Sequence, residues 1–229
     1  MKITLICLLL ISLQMAGQTA FDRGKKLFDT LQFNEAKPFF EQDLAENPMH
    51  LEAIECLGDC YVKSQNWNKA LIYYQKLKKL KPTEANYFYK FGGALAMKVK
   101  ASSKWFALNN INDVIFAFEK TIQLNPKHIE ARWALIQVYL EIPSIIGGSE
   151  LKAQKYADGL MSISKVDGFL AKGHIDEYYN RYVKAELNYK SAFEIGNSKT
   201  TFQKLYTLYL NKLKDITKAR HLKEQFEHK

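Results

Sequence analysis

Proline and glycine are scarce in this chain, at 5 and 11 of 229 residues. Few positions are therefore suited to tight turns, which β-rich folds need in number. Valine and isoleucine nowhere alternate with polar residues over a long run, so a half-buried sheet is not expected. Cysteine is scarcer still, with 3 residues, which excludes a disulfide scaffold and leaves packing to hold the fold. Catalytic signatures are missing too: there is no His-Glu-x-x-His, no Gly-x-x-x-x-Gly-Lys and no Gly-x-Ser-x-Gly. No catalytic residue, cofactor or metal site is expected, and the chain reads as a non-enzyme. His50, His128, His174, His221 and His228 lie far apart and mostly near helix ends, where surface or capping roles suit them better than metal ligation.

What the chain does contain is helical pattern. Hydrophobic residues make up 47% and charged residues 25%, enough for a sizeable core. The stretch from Leu51 to Glu84 reads as two amphipathic helices. Leu51, Ile54, Leu57 and Tyr61 recur at three- and four-residue steps, and so do Trp67, Ala70, Leu71, Tyr74 and Leu77. Asn66 is placed to cap the second helix, and Pro82 ends it, because the residue before a proline avoids helical geometry. One such hairpin cannot bury its own apolar stripe and must stack on neighbours.

The first residues read differently. Met1-Lys2 precedes the apolar run ITLICLLLISL and then Gln14-Met15-Ala16-Gly17, the order of a secretory signal peptide over residues 1–17, cleaved after Gly17 or after Ala20. The run is shorter than the roughly 20 residues a membrane span requires. Cys7 lies inside it rather than at its end, so no lipid anchor is expected. Export, to the periplasm or beyond, is the expected localisation. Cys56 and Cys60 then remain, four apart on one helix. A disulfide would strain that geometry, so two buried thiols in a helix seam are expected. The net charge is +9, but the lysines are spread along the chain and cluster late in helices, where they match the helix dipole. No nucleic-acid partner is expected.

The pattern of residues 51–84 repeats. Gly24, Gly58 and Gly92 are 34 apart; so are Ala36 and Ala70, Phe40 and Tyr74, Pro48 and Pro82, and Ala185 and Ala219. This resembles the tetratricopeptide repeat (TPR), a 34-residue helix–turn–helix unit, with Gly58, Tyr61, Trp67, Ala70, Tyr74 and Pro82 at the positions its pattern asks for. The resemblance implies an all-α, right-handed α-solenoid of about five helix pairs with a C-terminal capping pair, covering residues 18–229. Its units run over about 18–50, 51–84, 85–128 with an insertion at 98–112, 129–165 with a long turn at 143–150, 166–199, and a cap at 200–229. Pro38 is expected in the first turn of its helix, where the missing amide costs little. The insertion is expected to continue the first helix of its unit or to form a short extra helix, with Asn112 capping the helix after it. Gly147-Gly148 is read as a tight turn, with Ser149 capping the following helix.

In this family the first helix of each unit lines a concave groove. Carried over by position, the groove residues are Lys25 and Phe28; Glu55, Asp59, Val62 and Lys63; Tyr89, Gly93, Ala96 and Met97; Trp133, Gln137 and Leu140; and Leu170, His174 and Glu177. They imply a protein or peptide partner. The family's clamp for C-terminal carboxylates needs asparagine where Lys25, Asp59, Gly93, Gln137 and His174 stand, so that subtype is not expected. An alternative role follows from Lys98, Lys100 and Lys104 beside Trp105 and Phe106: residues 98–109 suit peripheral contact with a membrane surface.

Overall fold

The structure is a computed structural model that describes residues 19–227. The expected signal peptide with Cys7, and His228, lie outside the described residues. Twelve α-helices follow one another, and no strand occurs among the described residues. They are α1 (Ala20–Asp29), α2 (Phe33–Glu46), α3 (Leu51–Lys63), α4 (Trp67–Leu80), α5 (Ala85–Lys100), α6 (Lys104–Leu124), α7 (Ile129–Glu141), α8 (Glu150–Met161), α9 (Lys165–Tyr178), α10 (Tyr182–Gly196), α11 (Lys199–Thr207) and α12 (Ile216–Glu227). The chain divides between Ala117 and Phe118, within α6, into two compact units. In the first, each helix from α1 to α5 packs on the next; in the second, α7 to α11 do the same.

The hairpins close on small residues. Gly24, Gly58 and Gly173 each stand sixteen residues before an aromatic: Phe40, Tyr74 and Tyr189. A Cβ added at these glycines would come within 2.9, 2.7 and 2.5 Å of the ring, so each ring fills the space its glycine leaves. The three rings are buried, as are Ala36, Ala70 and Ala185 on the facing helices. Close packing of this kind tolerates no added methylene without displacement.

The turns repeat as faithfully as the crossings. Leu31, Gln65 and Asn180 hold left-handed backbone, with φ of 63°, 55° and 58°. Each lies seven residues after its glycine. The amide of the next residue then donates five residues back, Gln32 to Leu27, Asn66 to Tyr61 and Arg181 to Asp176, at 2.8–2.9 Å. This closure satisfies carbonyls that a helix end would otherwise leave unpaired. Helix entries are capped by side chains: Asn66 Oδ1 accepts from the Lys69 amide at 3.2 Å, and Ser149 Oγ from the Lys152 amide at 3.3 Å. Gly147 has φ of 107°, and a Cβ on Gly148 would fall 1.9 Å from the Ile142 carbonyl, so both glycines serve the turn into α8.

Two local expectations are corrected, and a third holds in part. Pro38 is the sixth residue of α2, past the first turn, so the Asn34 carbonyl loses its helical donor. The packing of Phe40 on Gly24 holds α2 across that gap. Asn112 caps nothing: it lies in the middle of α6. The insertion continues the first helix of its unit by three residues, one of the two expected outcomes, and lengthens the second instead of forming a helix of its own. α5 has 16 residues against 13 in α3, and α6 has 21 against 14 in α4, so three and seven added residues account for the ten extra. Both turns keep three residues, because with no proline or glycine from Lys98 to Asn112 nothing breaks the longer helices.

The chain's last helix presents little apolar surface. α12 buries only Ala219 and Leu222. Before it, a π-helical turn, Leu208–Leu213, buries Leu208 and Tyr209.

Candidate functional site

The candidate face in the first unit is dominated by an ion cluster. Glu55 and Asp59 are one turn apart on α3, and Lys90 of α5 lies between them, at 2.7 Å from Glu55 Oε1 and 2.6 Å from Asp59 Oδ2. Tyr74 of α4 donates its hydroxyl to Asp59 Oδ1, and Asn86 donates to Glu55 at 3.2 Å. Burial alone would lower the Lys90 pKa; Asp59 and Glu55 overcome that and raise it above 10.5. Both carboxylates expected to meet a partner are thus engaged by the next repeat, where they tie α3 to α5. Sequence reading missed Lys90. The signal available was a fixed offset: Glu55 to Asn86, Asp59 to Lys90 and Glu150 to Arg181 all span 31 residues.

Lys25 pairs with Asp29 and sits 5.9 Å from the centre of the Phe28 ring; Phe28 meets Phe33 edge-on at 5.3 Å. Lys63 is exposed and lies 5.7 Å from the Phe33 ring. Val62 is half-buried against the core. The more open surface is on α5. Tyr89, Gly93 and Met97 follow at four-residue steps and so share a side of the helix. Nothing lies within 4 Å of a Cβ built on Gly93, Tyr89 and Ala96 are half-buried, and Met97 is 47% exposed.

In the second unit, Trp133 of α7 donates from Nε1 to Asp167 of α9 at 3.0 Å, and its ring centre is 6.3 Å from that of His174. His174 Nε2 is 3.1 Å from Gln137 Oε1, and Gln137 Nε2 donates to Glu141 at 2.6 Å. Burial, aided by Lys204, pushes the His174 pKa below 6.5 and favours the neutral ring. Glu177 accepts the Tyr189 hydroxyl at 2.8 Å. Trp133, Gln137, His174 and Glu177 therefore form one polar and aromatic surface across α7 and α9. Leu140 and Leu170 do not belong to it. Both are buried, and Leu170 packs in the core with Tyr189 and Phe193.

Two further histidines have structural partners. His128 Nδ1 caps α7 by accepting from the Ala131 amide at 3.2 Å, and His50 Nδ1 lies 2.6 Å from Asp43. Cys56 and Cys60 are free and buried, and burial pushes their thiols up to about 12 and about 11. Among the described residues no three His, Cys, Asp or Glu side chains are placed to hold a metal ion. A shallow polar recess of about 430 Å³ lies where the turn Ser64–Asn68 meets Lys98, Ala101 and Ser102; a smaller one of about 150 Å³ touches Phe33, Asn34 and Lys63. Both sit at the turns, away from Tyr89, Gly93 and Met97.

Stacked helix pairs closed by glycine–aromatic contacts define the fold of tetratricopeptide-repeat proteins, and solved structures agree. A thermophilic TPR protein from Thermus thermophilus matches at 17% identity over 83% of this chain and 97% of its own, with a TM-score of 0.64. PilW, described as a type IV pilus biogenesis factor, matches at 13% identity over 91% of each chain, with a TM-score of 0.65. YrrB, described as a TPR protein with an unusual peptide-binding site, matches at 16% identity over 80% of this chain and 87% of its own, with a TM-score of 0.56. No family model and no curated protein matches the chain. The fold is that of the TPR helical-repeat proteins.

Proposed function

We propose that the protein is an exported, non-enzymatic scaffold that holds a protein or peptide partner on the concave side of its helix pairs. The observation that carries this is the row Tyr89, Gly93 and Met97: an aromatic and a thioether flank open space over a glycine, a shape that receives one side chain of an extended peptide or partner helix. Similarity to YrrB, described as having a peptide-binding site, supports the same use of the fold. Export rests on the sequence of residues 1–17. Thr19 and Asp22 form a reciprocal capping box at the start of α1, so cleavage after Gly17 keeps the cap whereas cleavage after Ala20 deletes it.

Gly93→Leu tests the reading, because it fills the open space without touching the core. Crosslinking in intact cells followed by mass spectrometry is expected to recover a protein partner with the wild type and much less of it with the variant. Equal recovery from both, or none beyond an unrelated control, would refute the reading. Fractionation that leaves the protein in the cytoplasm would refute export.

A further inference from the structure

The extra length of α6 carries an apolar stripe that the helix pairs leave uncovered. Trp105, Leu108 and Phe116 are 73%, 43% and 58% exposed. With Asn112 between them, they follow at steps of three, four and four, so they lie on one side of α6 over about 16 Å. Ile111, Val114 and Ala117 are buried on the other side. The repeat does not require Trp105 or Leu108, since α4 does the same work with seven fewer residues.

The charge around this tip has one sign. From Ala85 to Asn112 there is no aspartate or glutamate, and Lys98, Lys100 and Lys104 lead into Trp105. Lys98 Nζ stands 4.8 Å from the Phe106 ring, which keeps one cation beside the aromatic tip. Lys90, earlier in the same stretch, is taken up by Glu55 and Asp59, which leaves the later lysines beside the tip. A cationic rim around tryptophan and leucine fits a surface of uniform negative charge with an apolar layer beneath. Among the described residues no helix is long and apolar enough to cross a membrane, so contact would be confined to the interface.

We propose that the tip of the α5–α6 hairpin docks on anionic phospholipid bilayers, with Trp105 and Leu108 entering the headgroup layer and Lys98 and Lys104 facing lipid phosphates. This goes beyond the proposed scaffold role. It would hold a partner-binding face beside a membrane.

The test is flotation of the full chain with phosphatidylcholine vesicles, with and without phosphatidylglycerol. Residues 1–17 carry their own apolar run, so the decisive comparisons are between lipid charges and among full-length variants. The wild type is expected to float with the anionic vesicles and to dissociate with added salt. Lys98→Gln/Lys104→Gln is expected to weaken binding roughly 25-fold, at about five-fold per lysine. Trp105→Ala/Leu108→Ala is expected to weaken it about ten-fold or more. Brominated phosphatidylglycerol should quench a tryptophan signal that Trp105→Phe removes. The proposal is overturned if the wild type stays with the free protein, if all variants float alike, or if quenching persists in Trp105→Phe. It is equally overturned if vesicles are ignored and the wild type forms a dimer that Trp105→Ala/Leu108→Ala dissolves, since the stripe is then a contact between copies.

Discussion

Replacing Gly173 by alanine would put a methyl carbon 2.5 Å from both Cδ1 and Cε1 of Tyr189. That ring is fully buried and its hydroxyl is held by Glu177, so it cannot swing aside freely. Two effects oppose each other. Alanine favours helix over glycine by about 1 kcal/mol. Overpacking costs about 1–3 kcal/mol, and a displaced Tyr189 hydroxyl adds about 1 kcal/mol. The net expectation is destabilisation by about 1–3 kcal/mol. Gly93 supplies the control, because a Cβ there meets nothing within 4 Å. Gly93→Ala should gain the helix term alone, so the two variants should differ by about 2–4 kcal/mol. Urea unfolding followed by circular dichroism reads this directly from the midpoints. If Gly173→Ala is as stable as Gly93→Ala, the ring does not depend on the glycine, and the account of how each hairpin closes is wrong.

Lys90→Met keeps the stem and removes the cation between Glu55 and Asp59, and should cost about 2–4 kcal/mol in the same assay. Because the Lys90 pKa is raised in the folded state, its contribution is complete below the ordinary value of 10.5 and is lost as pH rises through the raised one. The gap between wild type and Lys90→Met should therefore stay constant from about pH 7 to about pH 9; a gap that closes over that range counts against the cluster. His174 behaves in the opposite sense: its lowered folded pKa means that stability falls as pH drops below 6.5, and His174→Gln should flatten that decline. Identical pH profiles for wild type and variant would exclude it. Cys56 and Cys60, with pKa values of about 12 and about 11, should resist iodoacetamide in the folded protein at about pH 8 and react in urea. Rapid modification of native protein would show that the seam is open.

The repeat could be read from the sequence because its physics needs a particular size at each place. Gly58 and Tyr74 are legible as a pair since one must be absent for the other to fit, and Asn66 and Ser149 because a helix entry needs an acceptor. Helix ends in the third repeat were less legible: Asn112 has the chemistry of a cap, but nothing near it breaks a helix, and the chain continued through it. Pro38 misled for the reverse reason, since tertiary packing of Phe40 carried the helix past a local breaker. The candidate face was harder to read. Family position put Glu55 and Asp59 on it, while their ionic partner came from the following repeat, and a single-repeat pattern cannot show a contact between repeats. Leu140 and Leu170 failed because small helix rotations decide whether an apolar residue faces a groove or the core.

Leu31, Gln65 and Asn180 occupy the same left-handed corner, one with an aliphatic side chain and two with amides of different length. The corner is thus written in backbone hydrogen bonds, and its lettering is free to drift. Leu31 could become asparagine or glycine and relieve about 1 kcal/mol of backbone strain without altering a neighbour. A chain built from corners of this kind can change most of its residues while successive hairpins keep their pitch. That freedom is how TM-scores near 0.64 coexist with identities of 13–17% in the structures it resembles.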